Sequence, residues 1–220
     1  MARPKKTNPN RAIDAGIAIL DNLTYRPAQI LEQVFEDDFL RRILSSHHVG
    51  LLAPPCSDKE LLKAIEERGI DVLSVFPSAV VASQLTGRFG KQVSADIYLC
   101  RSMAKNAPRL EIFRVVDGLD AADVRTAMHD ILHIAYTPHE PVNTREIFKK
   151  IVADGLEYVG GGVNQSMSEE DAVTVLYFCK RQPIAEVSKI ELFLSGRHSL
   201  ASITETTQST SVSLNTSCQK

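Results

Sequence analysis

The sequence predicts an α+β chain: two tandem βαβββ units forming a cupped mixed sheet, preceded by a helical N-terminal extension. Three observations predict it. The order strand–helix–strand–strand–strand can be read twice along the chain. Three short segments recur in the same order: HVGLLAP at His48 and HIAYTP at His133, IYLCR around Cys100 and LYFCK around Cys179, LEIF around Glu111 and IELF around Glu191. Each half also has a capped helix in the slot after its first strand.

The elements follow in order. Residues 1–45 read as the helical extension. Met1–Arg11 is a basic start, expected to be solvated. Pro27 suits a first helical turn, and Ile30, Leu31, Val34, Phe35, Phe39, Leu40 and Ile43 fall on one broad face, wide enough to seat a core or a partner subunit.

Residues 46–116 read as the first unit. HHVGLLAPP is a short apolar strand stopped by two prolines. Ser57 caps the next helix, Glu60 completes a capping box, and Gly69 ends it. DVLSVFPSAVVAS reads as a strand broken at Pro77, and QLTGRFGKQ as a turn. ADIYLCRSM and RLEIFRVV are strands joined by a turn at Asn106 and Pro108.

Residues 117–130 read as a polar linker, and 131–196 as the second unit. ILHIAYTP is its first strand. NTREIFKKIVADG is its helix, capped by Asn143 and ended by Gly155. The Gly160–Gly162 run suits a bulge or wide bend, because it lacks the order of a dinucleotide loop. DAVTVLYFCKR and KIELFLSG are strands. From 197 to 220, serine and threonine dominate, as in a disordered tail.

Composition excludes several classes. With 25 basic and 27 acidic residues, the net charge of −2 points to neither nucleic acid nor membrane partners. No apolar run nears the roughly 20 residues that span a bilayer, and Asp14 and Asp21 interrupt the apolar stretch a secretion signal would need. Cys56, Cys100, Cys179 and Cys218 form no C-x-x-C pair, which suits free thiols in a reducing compartment. A soluble, cytoplasmic protein is expected, acting on a small molecule, with a homodimer as a further expectation from the apolar face at residues 30–43.

Four polar residues stand out. Glu111 and Glu191 interrupt apolar strands, where an isolated carboxylate is costly unless paired or bound to metal. His48 and His133 each open an apolar strand, and their i+2 neighbours, Gly50 and Ala135, leave space. The mixed N/O set His48, Glu111, His133 and Glu191 suits a divalent ion such as Ni, Co, Zn, Mn or Fe(II). The plainer alternative is hydrogen-bonded imidazoles and carboxylates paired with Arg109, Arg114 or Lys189. His47 alternates to the other face and is read as non-ligating. His129 and His139 are read as loop residues, and Cys100 and Cys179 as matched core residues.

At these residues, over about 46–195, the pattern resembles the vicinal oxygen chelate superfamily, which includes glyoxalase I, extradiol dioxygenases and bleomycin resistance proteins. The resemblance implies one ligand from the first and one from the last strand of each unit: His48, Glu111, His133 and Glu191. A His/Glu/His/Glu set is most similar to the bacterial type of glyoxalase I. It implies a metal-dependent lyase or isomerase acting through an enediolate on a substrate with vicinal oxygens, with Glu111 or Glu191 as general base. The alternatives are an Fe(II) dioxygenase using His48, His133 and a Glu, and a metal-free binding or resistance protein. The helix KELLKAIEERG lacks the aromatic segment common in glyoxalases, and the N-terminal helices are not a standard part of them.

Overall fold

The computed structural model describes residues 9–101, 107–164, 172–184 and 187–204. The start of the basic N-terminus, Asn106 of the expected turn, and the tail from residue 205, with Cys218, lie outside the described residues. The fold is α+β. In chain order its elements are α1 (Pro9–Tyr25), α2 (Pro27–Val34), α3 (Asp38–Ile43), β1 (Leu44–Leu52), α4 (Asp58–Glu66), β2 (Asp71–Pro77), α5 (Ala79–Phe89), β3 (Ser94–Arg101), β4 (Arg109–Asp117), α6 (Ala121–Ile131), β5 (His133–Pro138), α7 (Thr144–Ala153), β6 (Glu157–Asn164), β7 (Val173–Ile184), β8 (Val187–Ser195) and α8 (Leu200–Thr204). They form two compact units. One comprises residues 9–25 with His48–Leu132, the other Arg26–His47 with residues 133–204.

In the first unit the strands are hydrogen-bonded in the order β2-β3-β4-β1. β1 and β4 run parallel, and the other pairs are antiparallel. Helices α1 and α4 pack together. Gly16 of α1 lies against the strands so closely that a Cβ there would stand 2.4 Å from Leu51. Arg68, just past α4, ties α1 down through Asp14 (2.7 Å) and Asn10 (3.1 Å). Ser57 and Glu60 form the expected capping box on α4. Tyr98 donates to Asp58 at the start of that helix, and Arg114 holds the Tyr98 hydroxyl and Asp96. The alternate residues Leu52, Ile97 and Phe113 join a core with Val81 and Leu85 of α5 and Val124, Ala127 and Ile131 of α6.

Two segments of this unit correct the sequence reading. The stretch expected to continue as strand and turn after Pro77 is helix α5, capped by Ser78 and closed by Gly90 at φ 63°. Burial of Val81 and Leu85, one helical turn apart, outweighs the β preference of the two valines. The first unit is therefore βαβαββ in element order. The polar linker is helix α6, capped by Asp120 through the amides of Ala122 and Asp123. Its buried stripe of Val124, Ala127 and Ile131 is spaced for a helix, and Arg88 pairs with Asp130 to tie α5 to α6. Gly118 precedes it at φ 95°, where a Cβ would meet the Gln92 carbonyl oxygen at 2.0 Å, so only glycine fits that approach.

In the second unit the order is β5-β8-β7-β6, again with one parallel pair, β5 with β8. Ile147, Phe148 and Ile151 of α7 are buried. Phe148, Tyr158 and Phe178 form an aromatic cluster, and Phe35 meets Tyr136 edge-on at 5.5 Å. The glycine run lies in β6, and a register shift between Tyr158 and Gly160 is the expected bulge.

The broad apolar face at residues 30–43 is used inside the chain. Ile30, Val34, Phe35, Leu40 and Ile43 are buried, with α2 against β7 and α3 against α7. The helical stretch expected there is broken at Phe35–Asp37. The Asp154 carboxylate accepts the amides of Glu36 and Asp37. Asp37 caps α3 through the Leu40 amide and pairs with Lys150 at 3.2 Å. That amide, then Lys150, holds the Asp37 carboxyl below its usual 3.8. Its contribution is therefore complete above about pH 4 and disappears as pH falls through the lowered value. Asp37→Ala is expected to cost about 1–2 kcal/mol at neutral pH, as lost caps do. The difference should shrink toward zero in acid. Urea unfolding at pH 7 and at steps down to about pH 2 checks this, and a loss that does not shrink along the series would contradict it.

Candidate functional site

Each unit brings one histidine and one glutamate together on its parallel strand pair. In the first, β1 and β4 set Gly50 opposite Glu111, so His48, two residues earlier, shares a face with that carboxylate. His48 Nε2 lies 3.5 Å from Glu111 Oε2. In the second, β5 and β8 set Ala135 opposite Glu191, and His133 Nε2 lies 3.3 Å from Glu191 Oε2. Both constructions follow one rule: the histidine at position i, a small residue at i+2, and the glutamate opposite that small residue.

Both separations exceed the range of a good N–H···O hydrogen bond, about 2.7–3.2 Å. Two ligands of one tetrahedral zinc, each about 2.05 Å from the ion, stand about 3.3 Å apart. The buried residues His48, His133 and Glu191 each offer an atom of the kind that holds a metal ion. Glu111 is less enclosed, with a side chain 14% exposed.

The two pairs have different surroundings. Tyr177 lies opposite Glu191 in the β7–β8 register, and its hydroxyl donates to that carboxylate. Lys189 stands beside His133 in the β5–β8 register, its Nζ 4.3 Å from the centroid of the Tyr177 ring. Burial pushes Glu191 up to about 7, against the pull of Tyr177 and Lys189. Burial also brings Lys189 down to about 8, with the charge of Glu191 acting in the opposite sense. At the matching places in the first unit, Leu99 lies opposite Glu111 and the exposed Arg109 beside His48.

Other expectations resolve by alternation along the strands. Arg114, three residues from Glu111, turns to the other face and holds Asp96 and Tyr98. His47 stacks on Phe193 at 4.1 Å, a packing role. His129 sits in the last turn of α6, and His139 is exposed. The cysteines are not equivalent. Cys100 pairs in register with Leu110, whereas Cys179 pairs with Lys189, so the two face opposite sides. Cys100 is a buried free thiol, while Cys179 is half-buried. A cleft lined by Pro54, Cys56, Arg114 and Leu119 contains none of the four site residues, and burial pushes its thiol up to about 11.

Tyr177 was missed by sequence reasoning. Its signal was present, as an aromatic residue in the strand before Glu191, but its place opposite that residue depends on the hairpin register. Among the described residues, no helix is long and apolar enough to cross a membrane. No protein-family model matches the chain, and no curated protein sequence is significantly similar to it.

Proposed function

We propose that His48, Glu111, His133 and Glu191 bind a divalent metal ion and that the chain is a metal-dependent lyase or isomerase of glyoxalase type, acting on a small substrate with vicinal oxygens. The observation that carries this reading is the repeated His–Glu construction, with separations of 3.5 and 3.3 Å, better suited to ligands of an ion than to hydrogen bonds. The reading treats the units as tandem βαβββ modules of the vicinal oxygen chelate kind, the first with α5 inserted between its second and third strands.

The donors fit such an ion: two imidazoles and two carboxylates, an N/O set that suits Zn, Ni, Co, Mn or Fe(II). A divalent ion, when bound, supplies the Lewis acidity that makes a C–H beside a carbonyl acidic. The two glutamates divide the remaining work. Glu191 is buried and held by Tyr177, so it is the fixed ligand. Glu111 is the more exposed of the two, so its carboxylate is the one a substrate can reach, to take the proton and return it to the adjacent carbon.

Elemental analysis of protein purified without chelator, followed by solvent-deuterium exchange into 2-oxo substrates, tests the reading. Ni, Co or Zn near one ion per chain, with metal-dependent exchange, is expected. Two ions per chain would mean that each pair binds its own. Absence of both metal and exchange would reject the reading, and iron with oxygen consumption would favour dioxygenase chemistry.

A further inference from the structure

We propose that the flank formed by helix α4 and the edge strand β2 is a two-fold interface with a second copy of this chain. This is independent of the metal-dependent reading above, because no proposed ligand lies in α4 or β2.

Among the described residues β2 ends the strand order, so one of its edges has no strand beside it. Val75 pairs in register with Tyr98, whose hydroxyl reaches Asp58 of α4, so Val75 points to the face that α4 covers. It is nonetheless 47% exposed, as is Leu73 two residues earlier. Helix α4 turns one side to α1, where Arg68 reaches Asn10 and Asp14, and an adjacent side to the sheet through Asp58, Leu61 and Ile65. Gly16 sets α1 over Leu51 and Leu110 of β1 and β4, so the side of α4 away from α1 is the side of β2. Helical spacing puts Leu62 on that side, 37% exposed. Three large apolar side chains gathered at one sheet edge mark an interaction surface rather than scattered exposure.

Two features select a second copy as the occupant. The segment Val72–Phe76, VLSVF, reads apolar, apolar, serine, apolar, apolar in either direction. A two-fold axis at Ser74 therefore sets Leu73 of one copy against the partner's Val75, and Val75 against the partner's Leu73. The charges are self-complementary as well. Exposed Lys59 and Glu66 stand about one turn to either side of Leu62 on α4. The same axis reverses the helix, so Lys59 meets the partner's Glu66, and this contact occurs twice. The bulge between Val72 and Ser74, and Pro77 with no amide to donate, disfavour addition of an extended foreign strand. Side chains, not a long backbone ladder, hold the two copies.

Sedimentation equilibrium of the full-length protein tests this, with Val75→Lys, Lys59→Glu and Glu66→Lys as variants and circular dichroism as the check of folding. Wild type is expected to be a dimer at micromolar concentration. Val75→Lys should weaken self-association at least tenfold, because it sets an ammonium in the apolar contact. Lys59→Glu and Glu66→Lys should each weaken it at least tenfold as well, since each brings two pairs of like charges together. An equimolar mixture of these two variants should recover the wild-type affinity, because every Glu at the contact then meets a Lys. A monomeric wild type overturns the proposal. So does a dimer that Val75→Lys leaves unchanged. Charge variants that keep the wild-type affinity, or that fail to recover on mixing, overturn it too. If Val75→Lys does not fold, the two charge variants, at exposed helix positions, decide by the same outcomes.

Discussion

Glu111→Gln is expected to lower metal-dependent proton exchange by about 10²–10⁴-fold, the range for loss of a positioned general base. Metal content should fall far less, because the amide oxygen can still serve as a ligand while losing the ability to accept the proton. The contrast with Glu191→Gln makes the result specific. Glu191 is buried, accepts from Tyr177 and lies near Lys189, so its replacement should first reduce metal content. Deuterium exchange followed by NMR, with metal measured on the same samples, separates the two effects. Full exchange in metal-replete Glu111→Gln would remove Glu111 from the proposed chemistry. Equal loss of metal in both variants would show that the two carboxylates do the same job.

The second large effect concerns the support of the second pair. Phe148→Ala is expected to destabilise the protein by about 3–5 kcal/mol, as large-to-small changes do in a closed core. Phe148 is fully buried, and its ring meets Tyr158 at 5.2 Å and Phe178 at 5.7 Å. Phe178 pairs in register with Ile190, the residue before Glu191, so the cluster backs the strand that carries the carboxylate. Against a usual total of about 5–15 kcal/mol, this is a large fraction. Denaturant melts of wild type and variant measure it. A loss below about 1 kcal/mol would mean that the aromatic cluster is loosely packed and contributes little.

Much of the local structure was legible because it depends on near neighbours. The Ser57–Glu60 capping box, the Asn143 cap and the stop at Gly69 are chemistry between residues a few positions apart, and all are formed. The bulge at Gly160 belongs to the same kind, since glycine alone accepts the backbone at φ 146° there. Helices α5 and α6 were misread for the opposite reason. Their valines, glycines and polar residues carry weak or contrary local preferences, and the helices exist because Val81, Leu85, Val124 and Ala127 complete a core drawn from distant strands. The break at Phe35–Asp37 likewise depends on Asp154, more than 100 residues away, accepting two backbone amides.

The sequence by itself determined which residues are chemically conspicuous: a histidine ahead of one apolar run and a glutamate inside another, in each half, although His48 proves to lie in the middle of β1 and only His133 opens its strand. Burial physics suffices for that, because a carboxylate in an apolar strand needs a partner wherever the strand lies. Only the tertiary structure decided which histidine meets which glutamate, through the parallel register that sets Gly50 opposite Glu111 and Ala135 opposite Glu191. Register also separated Cys100 from Cys179, which a one-residue slip in the sequence alignment had matched. It brought Tyr177 and Lys189 to Glu191 while leaving Leu99 and Arg109 at the corresponding places beside Glu111 and His48. A strand presents alternate residues to opposite faces, so a shift of one position changes every neighbour, and no local pattern in the chain records that shift.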